Sequence, residues 1–132
     1  MKFRDLEKIV HPATRRYQIV YIEKLISDGS PGCILDIPLL FETGGEKYID
    51  VSVVVTASEE KQKERVVSER KVPLEIFNSI KNQQMPDREK LKKADYIIST
   101  DQTLDETKLE VKDVVSKIKL INPKAWNAFY KK

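Results

Sequence analysis

Ile34-Leu35-Asp36-Ile37-Pro38-Leu39-Leu40-Phe41-Glu42 is a short apolar run that leads into an aspartate and a proline. It reads as a buried strand delivering a carboxylate to its mouth. In an open α/β sheet the carboxyl ends of the strands face the ligand crevice, so Asp36 can touch a substrate while the strand behind it stays in the core. Pro38 has no ladder donor and holds Ile37 extended, so pairing is expected to stop there. The competing reading is that Asp36 only caps the next helical turn.

The 132 residues fit one domain. Charged residues make up 34% of the chain but the net charge is only +3, so cations and anions are mixed and no strong polycationic field forms. Nucleic acid is therefore not an expected partner. Cys33 is the one cysteine, which excludes an internal disulfide, fits a reducing compartment and is read as a small core residue. No window approaches eighteen apolar residues, and Met1-Lys2-Phe3-Arg4-Asp5 is not followed by an apolar signal region. No membrane association and a cytoplasmic location are expected, and the pattern contains no metal-ligand spacing.

Leu6, Ile9 and Val10 begin a helical pattern that His11-Pro12 is expected to interrupt, with Pro12 starting a second helix to about Ser27. Two rows, Tyr17, Tyr21, Leu25 and Ile19, Ile22, Ile26, predict a broad apolar face packed on a sheet. Asp28-Gly29-Ser30-Pro31-Gly32 is a turn. Thr43-Gly44-Gly45 ends the next one, and Asp50 to Thr56 is a strand whose unbroken β-branched run predicts burial on both faces.

Ser58 can cap a helix from about Glu59 to Arg70, with Arg65 and Arg70 in its second half. Pro73 restarts a helix to about Gln83 and Pro86 opens a third from Asp87 to Lys93. This cation-rich excursion returns to a strand at Asp95-Tyr96-Ile97-Ile98-Ser99, and on composition alone it is a solvated helical face. Thr103-x-x-Glu106 is a capping box for a helix to about Lys119, with a stripe of Leu104, Lys108, Val111, Val115 and Ile118. In the tail, Trp126, Phe129 and Tyr130 recur at helical spacing and are expected to pack on their own domain or to mark a partner surface.

Leu6-Glu7 with His11-Pro12, the Asp36-to-Glu42 string, Val53-Val54-Val55 with Arg65 and Arg70, Gln84-Met85-Pro86 and Ala94-Asp95-Tyr96-Ile97-Ile98 together carry a resemblance. The chain resembles the dephospho-coenzyme A kinases, over about Leu6 to Ile118. The resemblance implies transfer of the γ-phosphoryl of ATP to the 3′-hydroxyl of dephospho-CoA. It implies an α/β fold, an incomplete three-layer P-loop kinase-like arrangement with a short parallel sheet, flanking helices and a helical lid. Residues 1–30 would be coenzyme-side helices, 32–57 core strands, 58–93 the lid, 94–120 the last strand and helix, and 121–132 a tail.

Residue by residue, the resemblance places Asp36 near the acceptor or metal and Arg65 and Arg70 on phosphates, as the catalytic set. His11, Pro38, Leu39, Leu40 and Glu42 would border the coenzyme substrate, and Lys81 and Gln84 would belong to the lid. Ser99, Thr100 and Asp101 would lie in the loop near the adenine. A structural alternative for the arginines is surface pairing with Glu64 or Glu69, and for His11 a hydrogen bond at a helix junction.

The family's glycine-rich G-x-x-x-x-G-K-S/T string, which holds ATP and Mg2+, does not occur here. Gly44-Gly45 lacks the Lys-Ser/Thr ending. The chain thus corresponds to the C-terminal part of the family, expected to be inactive alone, with ATP and Mg2+ as cofactors of the complete enzyme and no tight cofactor of its own. The missing phosphate-loop strand would sit between the Asp36 strand and Val51 to Val55, leaving apolar inner edges. A complementing N-terminal P-loop polypeptide or a homo-oligomer is the partner this implies. The alternative is a non-catalytic CoA-binding or assembly module derived from the family. Ile80-Lys81 stands where the family has Arg-Ile, and Thr100-Asp101-Gln102 where it has Asn-x-Gly.

Overall fold

The structure is a computed structural model that describes residues 3–131; Met1, Lys2, Lys132 and the side chains of residues 3–7, Leu6 and Glu7 among them, lie outside the described residues. The chain divides into two compact units, Met1–Asp36 and Ile37–Lys132.

In the first unit, one helix, α1 (Phe3–Ser27), runs without interruption through Pro12, where two helices were expected. Pro12 lacks one helical donor, but the turns on both sides are built from helix-favouring Arg, Lys, Gln, Glu and Leu, and propagation through those turns outweighs the lost rung. The helix ends where Gly29 adopts φ 72, with the Ser30 N–H donating to the Leu25 carbonyl and the Gly29 N–H to that of Ile26, the paired bonds of a Schellman motif. Of the two apolar rows only Ile22 is buried; Tyr17 is 74% exposed, so the broad face is not covered as expected.

Beyond Pro31 the chain forms neither helix nor strand as far as Ile37, and Ile34 is 92% exposed. The expected strand at Ile34–Asp36 is thus corrected. An apolar segment becomes a strand only by pairing its backbone, and among the described residues only two segments pair. Cys33 in this segment is exposed, so it is not the core residue expected.

The second unit opens with a single tight turn. Gly44 takes φ 67, its N–H bonded to the Phe41 carbonyl and that of Gly45 to the Leu40 carbonyl at 2.8 Å. A Cβ on Gly45 would lie 3.1 Å from Leu40 Cδ1, so both glycines serve the turn. Phe41 is buried within it.

The sheet consists of two parallel strands, β1 (Val53–Thr56) and β2 (Tyr96–Ser99), in the register Val53↔Tyr96 through Thr56↔Ser99. The helices α2 (Glu59–Lys63), α3 (Leu74–Gln83) and α4 (Asp87–Lys93) form the crossover, and α5 (Leu104–Ile118) follows β2. Burial on both faces of β1 is not what forms: Ile98 is 7% exposed, while Val55, its register partner on β1, is 64% exposed. Val53, Val54 and Thr56 are half-buried, so β1 is covered in part and left open at Val55.

Ser58 caps α2 as expected, its hydroxyl accepting from the Lys61 N–H. The helix does not continue in α form to Arg70, however; Glu64–Glu69 is a π turn. Thr103 and Glu106 make both bonds of the expected capping box. The packed stripe of α5 differs from the expected one: Val114 is buried, with Thr107, Glu110 and Ile118 beside it half-buried, while Leu104, Val111 and Val115 are exposed. Polar Thr107 and Glu110 occupy the inner face because they bond the end of β2, where Ser99 N–H donates to Glu110 Oε2 and Thr107 Oγ1 donates to the Ser99 carbonyl.

The tail packs on its own domain. A π turn over Trp126–Tyr130 is anchored by Asp50, whose Oδ1 accepts from the Lys124 and Ala125 N–H groups, and Phe129 meets Tyr48 edge-on with centroids 5.3 Å apart.

Candidate functional site

The parallel ladder brings the start of the lid-like excursion against the loop after β2. Arg65 donates from Nη1 to Thr100 Oγ1 at 2.9 Å and from Nη2 to the Thr100 carbonyl at 2.7 Å. Thr100 itself is held by β1, its N–H donating to the Thr56 carbonyl at 2.8 Å and its hydroxyl to the same oxygen at 3.0 Å. Asp101 accepts from the Ser58 N–H and hydroxyl at 2.9 Å, and the Lys61 ammonium donates to the Asp101 carbonyl. The Ser58 amide, its hydroxyl and the nearby Lys61 and Arg65 charges hold the Asp101 carboxyl below its ordinary range, against a smaller burial effect.

Three of the expected site groups, Arg65, Thr100 and Asp101, therefore meet. The contact of Arg65 is with the loop, in place of either glutamate considered as its surface partner. Ser99 lies at the same end, its hydroxyl accepting from the Asp101 N–H. Arg70 is exposed beyond the π turn.

A second cluster joins the tight turn to the base of the helical excursion. Glu42 Oε1 accepts from the Met85 N–H at 2.8 Å and from Lys90 Nζ at 2.9 Å, with side-chain exposures of 16% for Glu42 and 14% for Lys90. Burial pushes the Glu42 carboxyl up, but the Lys90 ammonium and the Met85 amide outweigh it and hold the group below its ordinary value of 4.5. Beside it Lys93 reaches Glu46 at 3.7 Å and lies over the Phe41 ring at 5.8 Å. Nothing in the sequence pattern signalled that Glu42 would be engaged by Met85, except that Gln84-Met85-Pro86 needs an acceptor for the one amide ahead of a proline.

Third, Lys81 pairs with Glu59 at 2.6 Å, and Gln62 Nε2 donates to Asp87 Oδ2 at 2.7 Å. These contacts border a depression of about 240 Å³ between α2, α3 and α4, and Lys81 and Gln84 line it. Pro38 and Leu39 are exposed on the turn, and Leu40 is half-buried. In the first unit His11 is exposed on α1 and Asp36 is exposed at the end of the segment that follows Pro31.

The family model for dephospho-CoA kinases matches residues 2–106. The chain belongs to the dephospho-CoA kinase family. Among curated relatives, the dephospho-CoA kinase of Rhodopseudomonas palustris is 42% identical over 112 residues, covering 85% of this chain and 56% of the relative. That of Novosphingobium aromaticivorans is 41% identical over 121 residues, covering 92% and 59%, and that of Rhizobium etli 38% over 118 residues, covering 89% and 58%. The chain thus spans less than three fifths of the length of these dephospho-CoA kinases. No solved structure matches it. Among the described residues, no helix is long and apolar enough to cross a membrane.

Within that family, the observed α/β arrangement with its short parallel sheet and flanking helices fits a kinase-like portion. A phosphate cradle is a different matter. Such a cradle needs unpaired backbone amides converging on an anion, and the amides of Gly44 and Gly45 are already bonded to Phe41 and Leu40. The described residues at this glycine pair do not fit the phosphates of ATP with its Mg2+.

Proposed function

We propose that this chain is the C-terminal part of a dephospho-CoA kinase, the acceptor flank and lid of an enzyme that moves the γ-phosphoryl of ATP to the 3′-hydroxyl of dephospho-CoA in the cytoplasm. The observation that carries it is the family match taken with the joining of Arg65 to Thr100, beside Asp101 held by Ser58. That junction couples a cation-bearing helix to the loop that the family sets near adenine. A phosphoryl transition state spreads charge over its non-bridging oxygens, so guanidinium groups on a closing element stabilise it while excluding water. Arg70 supplies such a group, with Lys81 and Gln84 on the same excursion. Asp36 stands toward the acceptor, and His11, Pro38, Leu39, Leu40 and Glu42 lie on the coenzyme side. ATP and Mg2+ are held by residues other than Gly44 and Gly45, in a P-loop segment that completes the sheet.

A second reading, a CoA-binding or assembly module without catalysis, is favoured by the bonded glycine amides and the exposed Val55 on β1. One experiment separates them. The chain is assayed with ATP, Mg2+ and dephospho-CoA, alone and with a P-loop-bearing N-terminal fragment of the Rhodopseudomonas palustris relative. Turnover only in the mixture supports the kinase reading. Binding of dephospho-CoA by calorimetry without turnover in either case supports the module, and turnover by the chain alone overturns the argument from the cradle.

A further inference from the structure

The end of β2 is finished by side chains of a single helix. Tyr96 and Thr100 send their amides to β1, so Ser99, which alternates with them in a parallel ladder, turns its N–H and C=O to the outer edge. A neighbouring strand would satisfy both groups, but among the described residues β2 has no strand on that side. Two α5 side chains three residues apart, and so on one face of the helix, stand in for it. Glu110 Oε2 accepts from the Ser99 N–H at 3.1 Å, and the Thr107 hydroxyl donates to the Ser99 carbonyl at 3.3 Å.

Glu110 does more than close an edge. The same Oε2 accepts from Gln102 Nε2 at 2.6 Å, and that nitrogen also donates to the Ser99 carbonyl at 3.0 Å. One half-buried carboxylate thereby ties Ser99 to Gln102, and the two residues between them, Thr100 and Asp101, form the tip of the loop. Arg65 and Ser58 grip that tip from the side of the helical excursion, and Glu110 holds it from the side of α5. Glu110 lies beyond residues 2–106, the span that the family model matches. We infer that Glu110 is a positioning residue: acting through Ser99 and Gln102, it holds the Thr100–Asp101 tip in the shape that ATP meets. The inference rests on the kinase reading proposed above.

The test titrates the full chain with ATP and follows the amide resonances of Thr100 and Asp101, with the melting temperature measured on each variant. Glu110→Ala weakens binding about tenfold and Gln102→Ala about fivefold, as the loss of one or two hydrogen bonds implies. Glu110→Gln, whose amide oxygen accepts from the same two donors, binds within about twofold of the parent. Gln102 is exposed, so its variant melts within about 2 °C of the parent while affinity falls. Parental affinity in Gln102→Ala, or a Glu110→Gln chain as weak as Glu110→Ala, overturns the positioning role. A larger drop in the melting temperature of Gln102→Ala makes the bridge structural and overturns it too. If Glu110→Ala does not fold, the other two variants decide. Thr100 and Asp101 amides that do not move with ATP in the parent chain also overturn the inference, whereas the kinase reading is judged separately, by turnover in the mixture with the P-loop-bearing fragment.

Discussion

Ser52 and Asp95 face each other across the parallel ladder, Asp95 Oδ2 accepting from the Ser52 N–H at 2.8 Å and its hydroxyl at 2.7 Å while the Asp95 N–H donates back to Ser52 Oγ at 3.1 Å. Ser58 and Asp101 repeat the pairing at the other end, so a Ser–Asp clamp with the offset of the strand register stands at each end of β1 and β2. A four-residue pair of strands is marginal alone, and the clamps fix where it starts and stops.

Because Ser52 is buried, Asp95→Ala leaves an amide and a hydroxyl without acceptors. The expected cost is about 2–3 kcal/mol, read as a lowered urea midpoint with an unchanged slope. A change below about 0.5 kcal/mol would show the clamp to be incidental.

Acid should undo the fold through several carboxylates at once. Glu42, Asp101 and Glu106 all have folded-state pKa values lowered from their ordinary ones, Glu106 by the Thr103 hydroxyl and amide. A lowered folded pKa means stability that is fully present above the ordinary value and lost as pH falls through the folded one. The melting temperature is therefore expected to be flat from pH 7 to about 5 and to fall below about pH 4.5, the ordinary glutamate value. Glu42→Gln keeps the Met85 acceptor, loses the ion pair with Lys90, costs about 1–3 kcal/mol at pH 7 and flattens the acid limb. An unchanged acid limb in that variant would remove Glu42 from the account.

Lys71 holds a left-handed conformation that glycine adopts without a steric penalty. Lys71→Gly is expected to raise stability by up to about 1 kcal/mol, roughly 3 °C in melting temperature. A decrease would mean that the turn is not strained in solution.

What the sequence made legible was local. Ser58, Pro73, Pro86 and Thr103 start their helices where capping and proline rules put them, because those rules depend on neighbours within one turn. The failures at Ile34–Asp36 and Val55 both concern pairing. Whether an apolar run becomes a strand, and whether a strand is covered, depends on partners distant in the chain, and β-branched runs carry no record of them. The α5 stripe was displaced for a related reason: Thr107 and Glu110 look like solvent residues until the backbone end of β2 needs their oxygens. Of the site, Arg65 was found by resemblance, whereas its bond to Thr100 became visible only in three dimensions.

The open edge of β1 supplies the last prediction. The Tyr96 and Thr100 amides donate to the Ser52 and Thr56 carbonyls, so along β1 the groups of Ser52, Val54 and Thr56 turn toward β2. In a parallel ladder the alternate residues, Val53 and Val55, turn their N–H and C=O groups to the opposite edge, where among the described residues no strand lies. Amide hydrogen exchange should separate the two sets, Val53 and Val55 exchanging at least tenfold faster than Val54 and Thr56. If a P-loop-bearing segment completes the sheet beside β1, adding the Rhodopseudomonas palustris fragment slows exchange at Val53 and Val55 and leaves Val54 and Thr56 as they were. Equal protection of all four amides in the chain alone would mean that the edge is already paired, and the proposal of a completing strand there would fail.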